Sequence, residues 1–297
     1  MAGARSTDRR GGAASAPPRR APTAHRTDAL RGYARSSCPV GARAAPVGVV
    51  LVEVIGICGR YVLISTIPEL ARLFSATFEP AELADWRPSW NVAPSRPVPA
   101  ITAVPPPDED GGGASGRSLA LYRWGLVPTW APTLAFGART FNARAETVAT
   151  KPTYRAAFRA RRAVVVADAF YEWSTSADER GQPYLFARAD GAPMALAGLW
   201  ETWTPAKGTG GEHAAIRTCT VITAEAGPDV VGVHHRMPVV VEQGPMLDTW
   251  LDPARTNPRE LQDLLGPSPA GTLRRHRVGR AVGSVANDGP ELVEDLP

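Results

Sequence analysis

The chain has 297 residues, 44% hydrophobic and 21% charged, which is ample for a buried core and too apolar for a chain disordered throughout. A net charge of +4 hints at a nucleic-acid or membrane partner, but residues 1–57 hold nine Arg against Asp8, Asp28 and Glu53, a local +6, so the rest carries −2. Three cysteines (Cys38, Cys58, Cys219) without CxxC spacing exclude a disulfide scaffold and a cysteine-based zinc site, and their odd number suits a reducing compartment.

The first 43 residues are Ala, Arg, Gly, Pro and Ser with almost no large apolar side chains, a composition that cannot offset its own ordering entropy. The apolar run Ala44–Ile57, broken by Glu53, is too short to cross a membrane. Residues 1–57 therefore read as a disordered or mis-annotated extension, with a transit-peptide-like composition as the competing reading. Residues 58–297 read as one domain. Cys58–Ser65 is a predicted strand, and Pro68–Phe74 and Pro80–Trp86 are short helices with Pro near the first turn. Predicted strands follow at Val98–Val104, Ser118–Val127, Ala163–Trp173, Tyr184–Ala189, Met194–Trp203, Thr218–Ala224 and Met237–Glu242. Helices are predicted at Lys151–Arg162, Pro245–Leu251 and Pro258–Leu265. The Gly/Pro-rich stretches Pro105–Ser118 and Thr204–Glu212 read as hairpin loops, and Gly111–Gly113 precedes no GK[ST] phosphate cradle. No regular βα alternation appears, so the expected fold is α+β: a β-rich domain of mainly antiparallel strands with a few short helices.

There is no GxSxG elbow and no HExxH. His234 and His235 are adjacent, and on an extended segment they would point to opposite sides, which argues against a shared metal ion. What remains is a set of polar residues in apolar or tightly turning segments: Cys58, Asn142, Glu172 and His234. Each has a plain structural reading, as a buried small hydrophobe, a turn or cap residue, a strand-end ion pair and a packed imidazole respectively. Together they also fit a cysteine–histidine–carboxylate site.

In chain order the sequence contains Cys-Gly-Arg-Tyr (58–61), Asn-Val-Ala-Pro (91–94), Trp-Gly-Leu-Val-Pro-Thr-Trp (124–130), Phe-Asn-Ala-Arg-Ala-Glu-Thr (141–147), Ala-Phe-Tyr-Glu-Trp (169–173), Ala-Gly-Leu-Trp (197–200) and Val-His-His-Arg-Met-Pro-Val (233–239). This set resembles the SOS response-associated peptidase (SRAP) family, which shields abasic sites in DNA. The resemblance implies a β-rich SRAP domain whose N-terminal cysteine crosslinks to the ring-opened aldehyde of an abasic site in single-stranded DNA. The α-amine, with an ordinary pKa near 8, would form a Schiff base, and the thiol of the same residue would close a thiazolidine. By that resemblance Cys58 is the nucleophile, Glu172 the acid/base, Asn142 an orienting hydrogen-bond partner and His234 an aid to sugar-ring opening or reversal. Arg60, Arg144 and Arg236 would meet phosphates, and Trp124 and Trp173 would stack on or wedge bases. Trp130, Trp200 and Trp250 are expected in the core, and Cys219 is expected to be buried and inert. The resemblance implies no cofactor or metal, a monomer that acts in the cytoplasm near the nucleoid, and no membrane partner.

One departure stands out. The family pattern begins Met-Cys-Gly-Arg, whereas here Ile57 precedes Cys58 and its nitrogen lies in a peptide bond. Three readings follow: an annotated start too far upstream, proteolytic and even autocatalytic removal of the leader, or a non-covalent single-stranded DNA-binding module.

Overall fold

Short apolar runs separated by Gly and Pro build strands here, and the computed structural model, which describes residues 58–104, 116–205 and 214–296, arranges them in two sheets. In chain order these are β1 (Arg60–Leu63), helix α1 (Ile67–Phe74), β2 (Ala76–Thr77), β3 (Ser89–Val92), β4 (Pro97–Val104), β5 (Gly116–Trp124), β6 (Asn142–Arg144), α2 (Arg155–Ala160), β7 (Arg162–Ala167) and β8 (Ala169–Trp173). Then come β9 (Pro183–Arg188), β10 (Met194–Trp203), β11 (Ile216–Glu225), β12 (Arg236–Pro238), β13 (Val240–Val241), α3 (Pro245–Leu251), α4 (Pro258–Asp263) and β14 (Leu273–Arg277). The smaller sheet runs β14-β9-β8-β1-β3, antiparallel throughout. The larger runs β12-β11-β10-β7-β4-β5-β2, with β6 beside β11 and β13 beside β10. Because β5 also pairs with β11, strands β11, β10, β7, β4 and β5 close into a ring. Among the described residues, parallel contacts are confined to β5–β11, β6–β11 and β2–β5. The fold is thus a β-rich, mainly antiparallel α+β domain, as expected.

The main core includes Phe170 and Phe186 of the small sheet together with Ile101, Leu119 and Val164–Val166 of the large one. A second cluster, with Val62, Tyr171, Leu185, Val282 and Leu292, covers the other face of the small sheet. No helix is long and apolar enough to cross a membrane among the described residues.

The predicted strand Ala163–Trp173 is in fact two strands in different sheets. The break is Asp168, whose carboxylate accepts the Ile64 and Ser65 N–H groups at 2.7 Å each and the Ser65 hydroxyl. One acidic residue in a Val-rich run is what carries the chain from one sheet to the other. The Pro80–Trp86 helix is a 3-10 turn over Pro80–Leu83, and the Lys151–Arg162 helix narrows to Arg155–Ala160. β14 (LRRHR) had no apolar alternation to betray it. It forms by backbone pairing to β9 at the sheet edge. The 1–57 extension and most of the two predicted hairpin loops lie outside the described residues.

Candidate functional site

Strand pairing determines what lies beside Cys58. β1 and β8 are antiparallel with Arg60 opposite Tyr171, so one step on, Gly59 faces Glu172. Side chains alternate along a strand. Phe170 joins the main core and Tyr171 the second cluster, so Glu172 points with Phe170 into the interior and is 2% exposed. There its carboxyl accepts the Cys58 backbone N–H at 2.7 Å. Burial pushes Glu172 up to about 8, against the opposing pull of hydrogen bonds from the Cys58 and Trp173 backbone. The Cys58 thiol is buried too, and burial followed by the neighbouring Glu172 holds its pKa well above the ordinary value. Cys58 sits at φ 46°, a left-handed conformation costly for a residue with a Cβ.

Asn142 opens β6, which lies parallel to β11 with Asn142 opposite Val221. Its side-chain amide donates to the Cys58 carbonyl at 3.4 Å, and its own carbonyl accepts the Tyr154 hydroxyl at 3.0 Å. Three of the expected residues, Cys58, Asn142 and Glu172, therefore meet. His234 lies in a turn rather than on an extended segment: its N–H and that of Val233 both donate to the Val230 carbonyl. This turn is tied to the end of the small sheet, since Val233 O accepts Thr175 N–H at 2.9 Å, three residues beyond Glu172. The same turn overturns the expectation that His234 and His235 diverge. Their rings stack, with centroids 4.3 Å apart at 30°. His234 is buried, and burial foremost lowers its pKa.

With this geometry in view, comparison with known proteins is informative. Residues 57–285 match the family described as SOS response associated peptidase (SRAP). The chain belongs to the SRAP family. It is similar to the abasic site processing protein YoqW of Bacillus subtilis (strain 168), with 34% identity over 238 residues covering 80% of this chain and 99% of that one. It is also similar to the abasic site processing protein HMCES of Gallus gallus, with 33% identity over 232 residues, 70% of this chain and 66% of that one. Among solved structures, a Bacteroides thetaiotaomicron protein shares the fold, with a TM-score of 0.67 at 21% identity over 81% of this chain and all of that one. A Bordetella bronchiseptica protein superposes with a TM-score of 0.59 at 26% identity over 75% of this chain and all of that one.

The SRAP fold gives several of the expected DNA contacts other work. Trp124 is 1% exposed, donates its indole N–H to Phe141 O at 2.9 Å and packs on Tyr61, so it is a core residue and no base can stack on it. Trp173, one step from Glu172, projects to the opposite face and packs on the second cluster. Arg236 is buried, forks onto the Glu146 carboxylate and donates to Thr223 O, so an internal anion stands where a phosphate was expected. The Arg60 guanidinium is likewise occupied, by Asn91 Oδ1 and the Val282 and Gly283 carbonyls. Arg144 is exposed, and none of the ion pairs among the described residues uses it.

Trp130, expected in the core, is 57% exposed and meets Phe136 edge-on at 5.3 Å. Both lie on the loop between Trp124 and Asn142. Its base is pinched where Gly125 (φ +132°) and Gly137 approach so closely that a Cβ on Gly125 would lie 2.4 Å from Gly137 O. The sequence signal was slight: a second Trp in a Pro-Thr-Trp turn, flanked by Pro128 and Pro132 and so outside any regular strand or helix. Trp200 is partly buried, while Trp250 and Cys219 are fully buried. Among the described residues no three His, Cys, Asp or Glu side chains converge as a metal site.

Proposed function

We propose that this protein processes abasic sites in single-stranded DNA by forming a covalent link through Cys58, once that residue bears a free amine. The observation that carries the reading is the 2.7 Å contact between the Cys58 nitrogen and the Glu172 carboxyl, a group held near pKa 8 by burial. A carboxyl of that kind exchanges protons near neutral pH. In the first step the amine nitrogen adds to C1′ of the sugar aldehyde, and Glu172 shuttles the proton that lets the carbinol oxygen leave as water, giving an imine. In the second the Cys58 sulfur adds to the imine carbon and the thiol proton passes to nitrogen, closing a thiazolidine. Asn142 steadies Cys58 through its carbonyl. His234 serves ring opening of the sugar hemiacetal or the reverse step. Of the three arginines expected at phosphates, Arg144 is the exposed one, and the Trp130–Phe136 pair offers an exposed aromatic surface for an unpaired base. The site of action is intracellular, on single-stranded DNA, with the protein as a monomer and without a cofactor.

A second reading concerns the leader, and the left-handed Cys58 favours it. Backbone strain of this kind clusters at sites of reaction, and here it falls on the residue whose sulfur would attack. The Cys58 sulfur would attack the Ile57 carbonyl, Glu172 would protonate the departing nitrogen, and water would hydrolyse the thioester. Self-cleavage would then generate the amine the first reading requires.

The test is to incubate a chain beginning Met-Cys58, with its Met removed, with an oligonucleotide bearing one abasic site. The products are resolved on a denaturing gel. A shifted band that Cys58→Ala abolishes supports the proposal. Binding without any covalent band overturns it in favour of a non-covalent module.

A further inference from the structure

The turn that carries His234 holds a second imidazole that the proposed chemistry leaves idle. His234 is 4% exposed and its neighbour His235 is exposed, yet the two rings stack at 4.3 Å. The His235 carbonyl is tied down by the Ala226 N–H at 3.0 Å, and the turn is fastened through Val233 O to Thr175, so the pair sits on a fixed backbone. At His234 Nδ1 the Arg236 N–H arrives at 3.1 Å and the Arg236 carbonyl lies at 3.2 Å. A neutral ring accepts from the N–H there and carries its hydrogen on Nε2. A protonated ring donates from Nδ1 to the carbonyl. Either state has a partner without rotation of the ring.

We infer that His235 is a positioning residue that governs when His234 takes up a proton, through the charge on the imidazole stacked against it. Water solvates a charge on an exposed ring and not one on a buried ring, so a single positive charge on a stacked pair is better placed on the exposed imidazole. That charge then opposes a second proton on His234 and keeps it neutral, available as a base, over a wider range of acid pH.

The surrounding charges do not replace this effect. Arg236 is bound to Glu146, and Glu225 stands opposite Arg236 in the β11–β12 register with its side chain exposed. On the far side of the turn Arg275 of β14 donates to Asp229 O and lies beside Gly232, while the Asp229 carboxylate accepts the Gly271 and Leu273 N–H groups. Arg236, Arg275 and Asp229 are engaged with their own partners and Glu225 is exposed to solvent, whereas His235 faces the His234 ring directly.

The inference rests on the abasic-site reading only for its catalytic consequence, so its test has a readout free of DNA. The chain has five histidines, and NMR titration of their ring resonances, with His234 assigned by its loss in His234→Gln, gives the His234 midpoint. In His235→Asn that midpoint rises by about 0.7 pH unit or more, about 0.7 being the size expected for a unit charge near 4 Å in water. In His235→Lys, which keeps a cation at the position, it stays low. If the wild-type chain forms a crosslink, the acid limb of its pH–rate profile moves upward in His235→Asn by the same amount. A His234 midpoint that does not rise in His235→Asn, or rises equally in His235→Lys, overturns the inference. Absence of any crosslink in the wild type would refute the abasic-site proposal instead and leave the midpoints to decide this one.

Discussion

At the scale of single residues the decisive object is a carboxyl deprived of water. Glu172 faces inward from β8, and the backbone of Cys58 and Trp173 supplies only part of the stabilisation that solvent would give its charge. Its folded pKa, about 8, lies above the ordinary carboxylate value, so the native state holds a proton that the unfolded chain has released. The contribution is therefore fully favourable below the ordinary carboxylate range and is lost as pH rises towards 8. Glu172→Gln, which keeps an acceptor for the Cys58 N–H, should escape this loss. Thermal melts should show the variant gaining on the wild type between pH 5 and pH 8.5, while crosslinking falls by about 10²-fold or more. A constant difference in melting temperature would mean the carboxyl is ionised at pH 7. Glu172 was legible in the sequence because a carboxylate among Phe170, Tyr171 and Trp173 is out of place. Trp173 lies on the face opposite Glu172, as strict strand alternation requires. The internal partners of Arg60 and Arg236, namely Asn91, Val282 and Glu146, stayed hidden because they come from elements that pattern alone does not bring together.

At the scale of elements, two features hold the site. Asp168 separates β7 from β8 and binds the backbone just past β1, the strand that Cys58 and Gly59 lead into. Asp168→Ala leaves the Ile64 and Ser65 donors without that partner. It should cost about 2–3 kcal/mol in urea unfolding, whereas an ordinary surface Asp→Ala would cost under about 0.5 kcal/mol. The Gly125–Gly137 contact pinches the Trp130 loop, so Gly137→Ala forces backbone apart and should cost about 2 kcal/mol or more. Trp130→Ala should behave oppositely. The side chain is mostly exposed, so stability changes little, but affinity for single-stranded DNA should fall by about 1–3 kcal/mol in a fluorescence titration. Unchanged affinity would remove the Trp130–Phe136 pair from the DNA path. Apolar runs disclosed the strands of the ring. The sheet switch at Asp168 and the edge strand β14 stayed hidden because both depend on pairing with distant backbone.

At the scale of the whole molecule, charge and chemistry are separated along the chain. Residues 1–57 contribute +6 and the rest −2, so the basic balance that first suggests nucleic acid resides outside the SRAP match, almost all of which lies beyond residue 57. Removing residues 1–57 should flatten the dependence of DNA binding on salt concentration, because fewer cations then displace counterions. An unchanged slope would mean that all the phosphate contacts come from beyond residue 57. The same removal should create reactivity, because it frees the nitrogen that Glu172 touches. Intact-mass spectrometry of the chain beginning at Cys58, after incubation with abasic single-stranded DNA and without any reducing agent, tests this most directly. The account predicts one species at the sum of the two masses less one water, absent with Cys58→Ala and with the chain that retains Ile57 uncleaved. An adduct equally abundant with uncleaved Ile57, or none from the chain beginning at Cys58, would contradict it.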